Sequence, residues 1–98
     1  MNDFDIDPVN ITFDTAKRAK ILDERGLDLA DAHRVFSDAH VQVVDDRRDY
    51  GEIRYRVFGH LNGRRVSLVW TPRNGTRRII TMRHAHDGEH KARFRTLD

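Results

Sequence analysis

The sequence predicts an α+β domain: a helical hairpin packed on a four-stranded antiparallel sheet, followed by a C-terminal helix. Three observations predict it. The apolar period is helix-like up to Phe36 and strand-like after it. Two turn signatures, Asn62-Gly63 and Pro72-Arg73-Asn74-Gly75, punctuate the strand-like part. Helical and extended segments come in separate runs, the pattern of helices laid on one face of a meander.

Taken in order, Ile11-Thr12-Phe13 alternates and reads as a short first strand. Asp14 is a good N-cap for a helix through Ala16, Ala19 and Leu22, which Gly26 ends. Asp28 caps a second helix, with Asp31 in a capping-box-like position and Leu29, Ala32, His33 and Phe36 on its inner face. Val41, Val43 and Val44 belong to a strand over residues 40–45. The next strand, 53–60, places Ile53, Tyr55 and Val57 on one side and Arg54, Arg56 and Phe58 on the other. Residues 65–71 follow, with Val66, Leu68 and Trp70 on one face. A last strand over 76–83 sets Arg77, Ile79, Thr81 and Arg83 against Arg78, Ile80 and Met82. Asp87 caps a final helix through Phe94. The uncovered face of the sheet is expected to carry a floor of arginines.

With 98 residues the chain is read as one domain, burying roughly two-thirds of its unfolded surface. Residues 1–9 read as a flexible acidic tail. There is no cysteine, which excludes disulfides and thiolate metal sites and fits a cytoplasmic protein. MNDFDIDPVN lacks the basic and apolar regions of a signal peptide. No apolar run approaches the ~20 residues of a membrane span.

The net charge of +2 hides an asymmetry. Residues 1–49 hold seven Lys/Arg against twelve Asp/Glu, and residues 50–98 hold eleven against four. Such a basic half suits a polyanionic or acidic partner. Fifteen of the 18 basic residues are arginine, which grips phosphate through a bidentate fork.

One constellation joins DDRRDYGEIRY, residues 45–55, to the last strand: Arg47, Arg48, Glu52, Arg54, Arg56, Arg77, Arg78 and Arg83. Cleavage of RNA by its own 2′-OH needs a base, cations on the phosphoryl oxygens and an acid for the leaving 5′-oxygen. Glu52 or a histidine could supply the base, and the arginines the clamp. The competing reading is a set of cross-strand ion pairs, Glu52 with Arg54 or Arg83. Tyr50 and Tyr55 lie among arginines and could stack on unpaired bases. In RHAHDGEH, His86 and His90 have metal-ligand spacing, but Gly88 and the helix start weaken it; the expectation is no metal and no cofactor. His84, beside Arg83, is a candidate for proton transfer. His33 is read as a hydrogen-bonded core histidine rather than a ligand, and Trp70 as core or the rim of the sheet rather than a base-stacking platform.

Three stretches in order, ITFDTAKRAKILDERGLDLADAHRVF, DDRRDYGEIRY and LVWTPRNGTRRIITMRHA, resemble the BrnT toxin family of bacterial type II toxin–antitoxin modules. The resemblance runs from about Ile11 to about Ala85. It implies a RelE-like fold, an RNase activity that arrests growth, and neutralisation by a cognate BrnA-like antitoxin with a ribbon-helix-helix part. It further implies operator DNA bound through that antitoxin and a toxin–antitoxin heterotetramer, with no membrane partner. The family element D-x-R … G-E-x-R falls on Asp45, Arg47, Gly51, Glu52 and Arg54. The element R-I-I-S-x-R falls on Arg78, Ile79, Ile80, Thr81, Met82 and Arg83, with Thr for Ser. The usual Lys-His-Gly is Glu24-Arg25-Gly26 here, so the histidine is replaced by arginine.

On this reading Arg47, Arg54 and Arg83 contact phosphate, and Glu52 is the base or orients an arginine. His84 is the other candidate for proton transfer. Arg48, Tyr50, Arg56, Arg77 and Arg78 bind the RNA strand. Two functions follow. The first is a metal-independent endoribonuclease toxin. The alternative is a non-catalytic basic module that docks an acidic protein in a DNA-bound complex.

Overall fold

The computed structural model describes residues 10–86 together with Gly88. Strand β1 (Ile11–Phe13) leads into helix α1 (Thr15–Arg25). Asp14 caps the helix as expected, its carboxylate accepting the Lys17 N–H at 2.9 Å. At the other end the Gly26 N–H donates to the Leu22 carbonyl. Ile21 is the residue that α1 buries, while Ala16, Ala19 and Leu22 are exposed.

Arg18 clamps Asp28 through Nε and Nη2 at 2.7 and 2.9 Å and fixes the chain reversal after α1. Asp28 also accepts the Ala30 N–H at 2.9 Å, capping a 3₁₀ turn, Leu29–Asp31. That turn runs into the short helix α2 (Ala32–Phe36). The second arm of the hairpin is therefore a 3₁₀ turn plus little more than one α turn. Leu29, Ala32, Val35 and Phe36 are its buried residues. His33 is half-buried with Nδ1 2.9 Å from the Ala30 carbonyl.

The meander follows: β2 (Val41–Val44), β3 (Tyr55–Leu61), β4 (Arg64–Arg73) and β5 (Thr76–His84). These four strands pair antiparallel in sequence order. The expected four-stranded antiparallel sheet needs correction, because β1 joins it as a fifth strand. β1 lies parallel to β5, with Thr12 opposite Arg78, and the order is β1-β5-β4-β3-β2. A parallel neighbour requires a long crossover, and here the helices and the meander together supply it. Apart from Gly88, the C-terminal helix expected over 87–94 lies outside the described residues, as does the tail 1–9.

Both hairpins close through Asn-Gly pairs with positive φ, 52° and 76° at Asn62-Gly63 and 53° and 75° at Asn74-Gly75. This is the geometry of type I′ turns, whose twist matches the flanking strands. The second turn is thus tighter than the four-residue reading, and β4 extends to Arg73.

One face of the sheet carries Val57, Leu61, Val66, Leu68, Trp70, Ile79 and Met82 against the helices. A Cβ on Gly59 would lie 2.8 Å from Val35 Cγ1, so glycine is what lets α2 approach β3. Trp70 is a core residue: its Nε1–H donates to Gln42 Oε1 at 3.0 Å.

On the other face Val41, Phe58, Ser67 and Val69 are buried. Arg56, Arg65, Arg78 and Arg83 are half-buried around them. The expected arginine floor is thus a cationic border around an apolar centre. The register also departs from simple alternation. Val69 pairs with Thr81 but Trp70 with Ile79, so Ile80 is an extra residue in β5. Beyond this bulge the faces exchange. Met82 joins Ile79 in the core, and Arg83, paired with Ser67, faces away from Arg77.

Candidate functional site

The connection between β2 and β3, residues 45–54, is closed by the Asp45 N–H donating to the Arg54 carbonyl at 2.8 Å. Asp45 is buried. Its carboxylate accepts Arg47 Nε and Nη2 at 2.7 and 2.8 Å and the Tyr50 hydroxyl at 3.2 Å. The Arg47 hydrogen bonds hold this carboxyl down at about 2, against the upward push of burial. Asp49 then accepts the Gly51 N–H at 3.0 Å, and Gly51 sits at φ 71°. A side chain there would be strained. The turn delivers Glu52 back toward the sheet.

Glu52 is held from two sides. Its Oε2 accepts Arg54 Nε at 3.0 Å and its Oε1 accepts Arg73 Nη2 at 2.9 Å. Arg73 ends β4, so the loop is tied to the second hairpin. The Arg54 guanidinium also lies 4.2 Å over the Tyr50 ring, a contact of about 0.5–1 kcal/mol at an exposed site. A continuous chain results: Arg47, Asp45, Tyr50, Arg54, Glu52, Arg73. Arg54, and then Arg73, pull the Glu52 carboxyl below its ordinary range. Such a carboxylate stays ionised near neutrality and takes up a proton poorly.

Of the residues the sequence singles out, this chain gathers Arg47, Tyr50, Glu52 and Arg54. Arg48 is exposed and lines a neighbouring cleft of about 390 Å³ with Arg47 and Tyr50. Arg56 and Arg78 lie on the second face of the sheet; Arg78 pairs with Thr71, whose hydroxyl donates to the Ile53 carbonyl at 2.7 Å. Arg83 stands on that same face five residues further along β5, roughly 16 Å at 3.3 Å per residue.

Arg77 and His84 are on the core side. The Arg77 guanidinium lies 4.1 Å from the Phe36 ring and 5.2 Å from the Trp70 ring. Among the described residues its Nε and Nη1 are buried without a hydrogen-bond partner, and burial pushes its pKa down. His84 pairs with Val66, and its Nε2 is 3.1 Å from the Arg25 carbonyl. Among the described residues no three His, Cys, Asp or Glu side chains come together as metal ligands. No helix there is long and apolar enough to cross a membrane.

The sequence assigns no role to two further groups. Arg73 reads as part of a turn, yet it supplies half of the clamp on Glu52. The other group is on α1. Arg25 Nη1 donates to the Met82 carbonyl at 2.8 Å and to Thr81 Oγ1 at 3.3 Å. Burial, then the charges of Arg25 and Arg54, lower the pKa of Lys17, with Asp14 opposing. The available signal is the spacing of four in Lys17, Ile21 and Arg25, one stripe of a helix. Ile21 faces the core, so its neighbours on that stripe flank the sheet.

A family model described as "Ribonuclease toxin, BrnT, of type II toxin-antitoxin system" matches residues 13–89. No curated protein matches the chain.

Proposed function

We propose that this chain, which belongs to the BrnT family of ribonuclease toxins of type II toxin–antitoxin systems, is a metal-independent endoribonuclease that arrests growth. The observation that carries the reading is the immobilised Arg54, held by Glu52 at its Nε and by the Tyr50 ring at its face. An arginine fixed before the substrate arrives can stabilise phosphoryl charge without reorganising. In the reaction the 2′-oxygen bonds to phosphorus and the bond to the 5′-oxygen breaks. The 2′-OH proton passes to solvent, and the leaving oxygen takes one from it. A 2′,3′-cyclic phosphate remains.

The two proposed roles for Glu52 are not equally supported. Its double ion pair favours orientation of Arg54 over proton abstraction, because a carboxylate so stabilised is a weak base. Arg47 turns one edge of its guanidinium to Asp45, and we assign its exposed side to phosphate. Arg48, Arg56 and Arg78 extend the cationic track. Arg83 and His84 fit an extended RNA contact better than a place beside Glu52. Arg77, packed on Phe36 and Trp70, fits a supporting role better than direct contact with RNA.

Membership of a type II toxin–antitoxin family brings an antitoxin partner and an RNA substrate. We assign the antitoxin to the BrnA-like ribbon-helix-helix class, with operator DNA bound through it in a heterotetramer, and the toxin to the cytoplasm. A second reading keeps the basic surface and drops catalysis; Arg25 in the family's histidine position favours it. The test is incubation of labelled, ribosome-free RNA with purified protein in EDTA, followed by end-group analysis. New cyclic-phosphate ends support the ribonuclease. Salt-dependent RNA binding without new ends supports the binding module.

A further inference from the structure

Among the described residues, the outer edge of β5 has a feature that the loop site does not use. β1 pairs with β5 at Arg77, Arg78 and Ile79, so the strand beyond the bulge runs past the end of its parallel neighbour. α1 lies along this stretch. Between them is a cleft of about 400 Å³ lined by Lys17, Lys20, Ile21, Glu24, Arg25 and Thr81, with Ala16. Three cations face one carboxylate there.

We infer that this cleft seats a backbone phosphate of the RNA strand, gripped by Lys17 and Arg25 with the Thr81 hydroxyl beside them. The inference rests on the ribonuclease reading and extends its substrate site from the 45–54 loop onto α1.

Three observations support it. Lys17 and Arg25 share one stripe of α1, so their side chains reach the same strip of sheet edge. Among the described residues, both hydrogen bonds of Arg25 use Nη1. These bonds fix the guanidinium on Met82 and Thr81 and leave its other nitrogens to fork an anion. The bulge at Ile80 resets the alternation of β5 just before Thr81, and bulges commonly re-aim a side chain beside a site. The arrangement also needs a reason. Bringing Lys17 into partial burial near two guanidiniums is unfavourable for the folded chain alone. A phosphate reverses the sign of that interaction.

The test uses the full chain and a fluorescent 2′-O-methyl oligoribonucleotide, which cannot undergo 2′-OH attack. Its affinity is measured by anisotropy across a salt series for wild type, Lys17→Gln, Arg25→Gln and Arg64→Gln. Arg64 is an exposed cation of β4 outside this cleft. Lys17→Gln and Arg25→Gln are each expected to weaken binding about tenfold. Each should also flatten the log–log salt slope by about 0.7, the value for one phosphate contact on a single strand. Arg64→Gln should match wild type. Because Arg25 also anchors Met82, Lys17→Gln is the cleaner variant. It is paired with a side-chain NMR titration of Lys17 in the wild type, where added oligonucleotide should raise the ammonium pKa. Wild-type binding that Lys17→Gln leaves unchanged, a silent Lys17 resonance, or no binding by wild type would each overturn the inference. Cleavage of unmodified RNA by wild type is scored separately. Cleavage with Lys17-independent binding removes the cleft and keeps the ribonuclease. Lys17-dependent binding without cleavage does the reverse.

Discussion

The 45–54 loop contains two acid–arginine pairs of the same local form, and they differ in burial. Asp45 pairs with Arg47, and Glu52 pairs with Arg54, each at a separation of two residues. The Asp45 side chain is 1 % exposed and its partner 52 %. Glu52 and Arg54 are both intermediate, at 29 % and 24 %. Asp45 spends its oxygens on Arg47 and the Tyr50 hydroxyl, and so fixes the start of the loop. Glu52 divides its oxygens between two arginines, one of them from another strand, and so fixes a cationic surface. The lesson is that an identical spacing of charges can pin a loop or hold arginines at the surface, and depth decides which.

That contrast can be broken most forcefully at Asp45. Asp45→Asn removes the charge of a buried carboxylate that accepts two hydrogen bonds from Arg47, a change of about 3 kcal/mol. Urea unfolding should show a large fall in midpoint. Glu52→Gln, at a solvated pair, should leave the midpoint near that of wild type.

The pH dependence sharpens the same comparison. The Asp45 carboxyl sits at about 2 in the folded chain against about 3.9 unfolded. Its folded pKa is depressed, so its stabilisation is complete above about pH 4 and is lost as pH falls toward 2. The loss should be about 2–3 kcal/mol. Wild type should show it in denaturation curves between pH 4 and pH 2, and Asp45→Asn should lack that slope.

Tyr50 bridges the two pairs and gives the smallest effect. Tyr50→Phe loses the hydroxyl bond to Asp45, worth about 1 kcal/mol, but keeps the ring beneath Arg54. It should lower stability and leave cleavage nearly intact. Tyr50→Leu also loses the ring contact, and it should reduce cleavage by a few fold through a less ordered Arg54.

Local signals in the sequence were well expressed. Asp14 capped its helix, both Asn-Gly pairs made hairpins, and the Val66, Leu68 and Trp70 alternation pointed to the core. Non-local facts were not legible. Ile11-Thr12-Phe13 reads as a strand, but three residues do not name a partner, and its parallel seat beside β5 depends on the whole fold. The β5 bulge is hidden because Arg-Arg-Ile-Ile-Thr-Met-Arg alternates acceptably in either register, and simple alternation puts Arg77 and Arg83 on one face. Burial separated Arg77 from the other arginines, and no charge pattern reveals burial. At the candidate site, Glu52 and Arg54 could be paired from their spacing, whereas Arg73 comes from the end of β4, which only the folded sheet brings near.

The most direct measurement is the rate of RNA cleavage in EDTA by wild type, Glu52→Ala and Arg54→Ala, each confirmed folded by its thermal transition. If the Glu52–Arg54 pair presents a fixed cation to the phosphoryl group, both variants should lose at least about 100-fold in kcat with Tm close to wild type. Normal cleavage by both variants would contradict the account and leave the loop a structural connection.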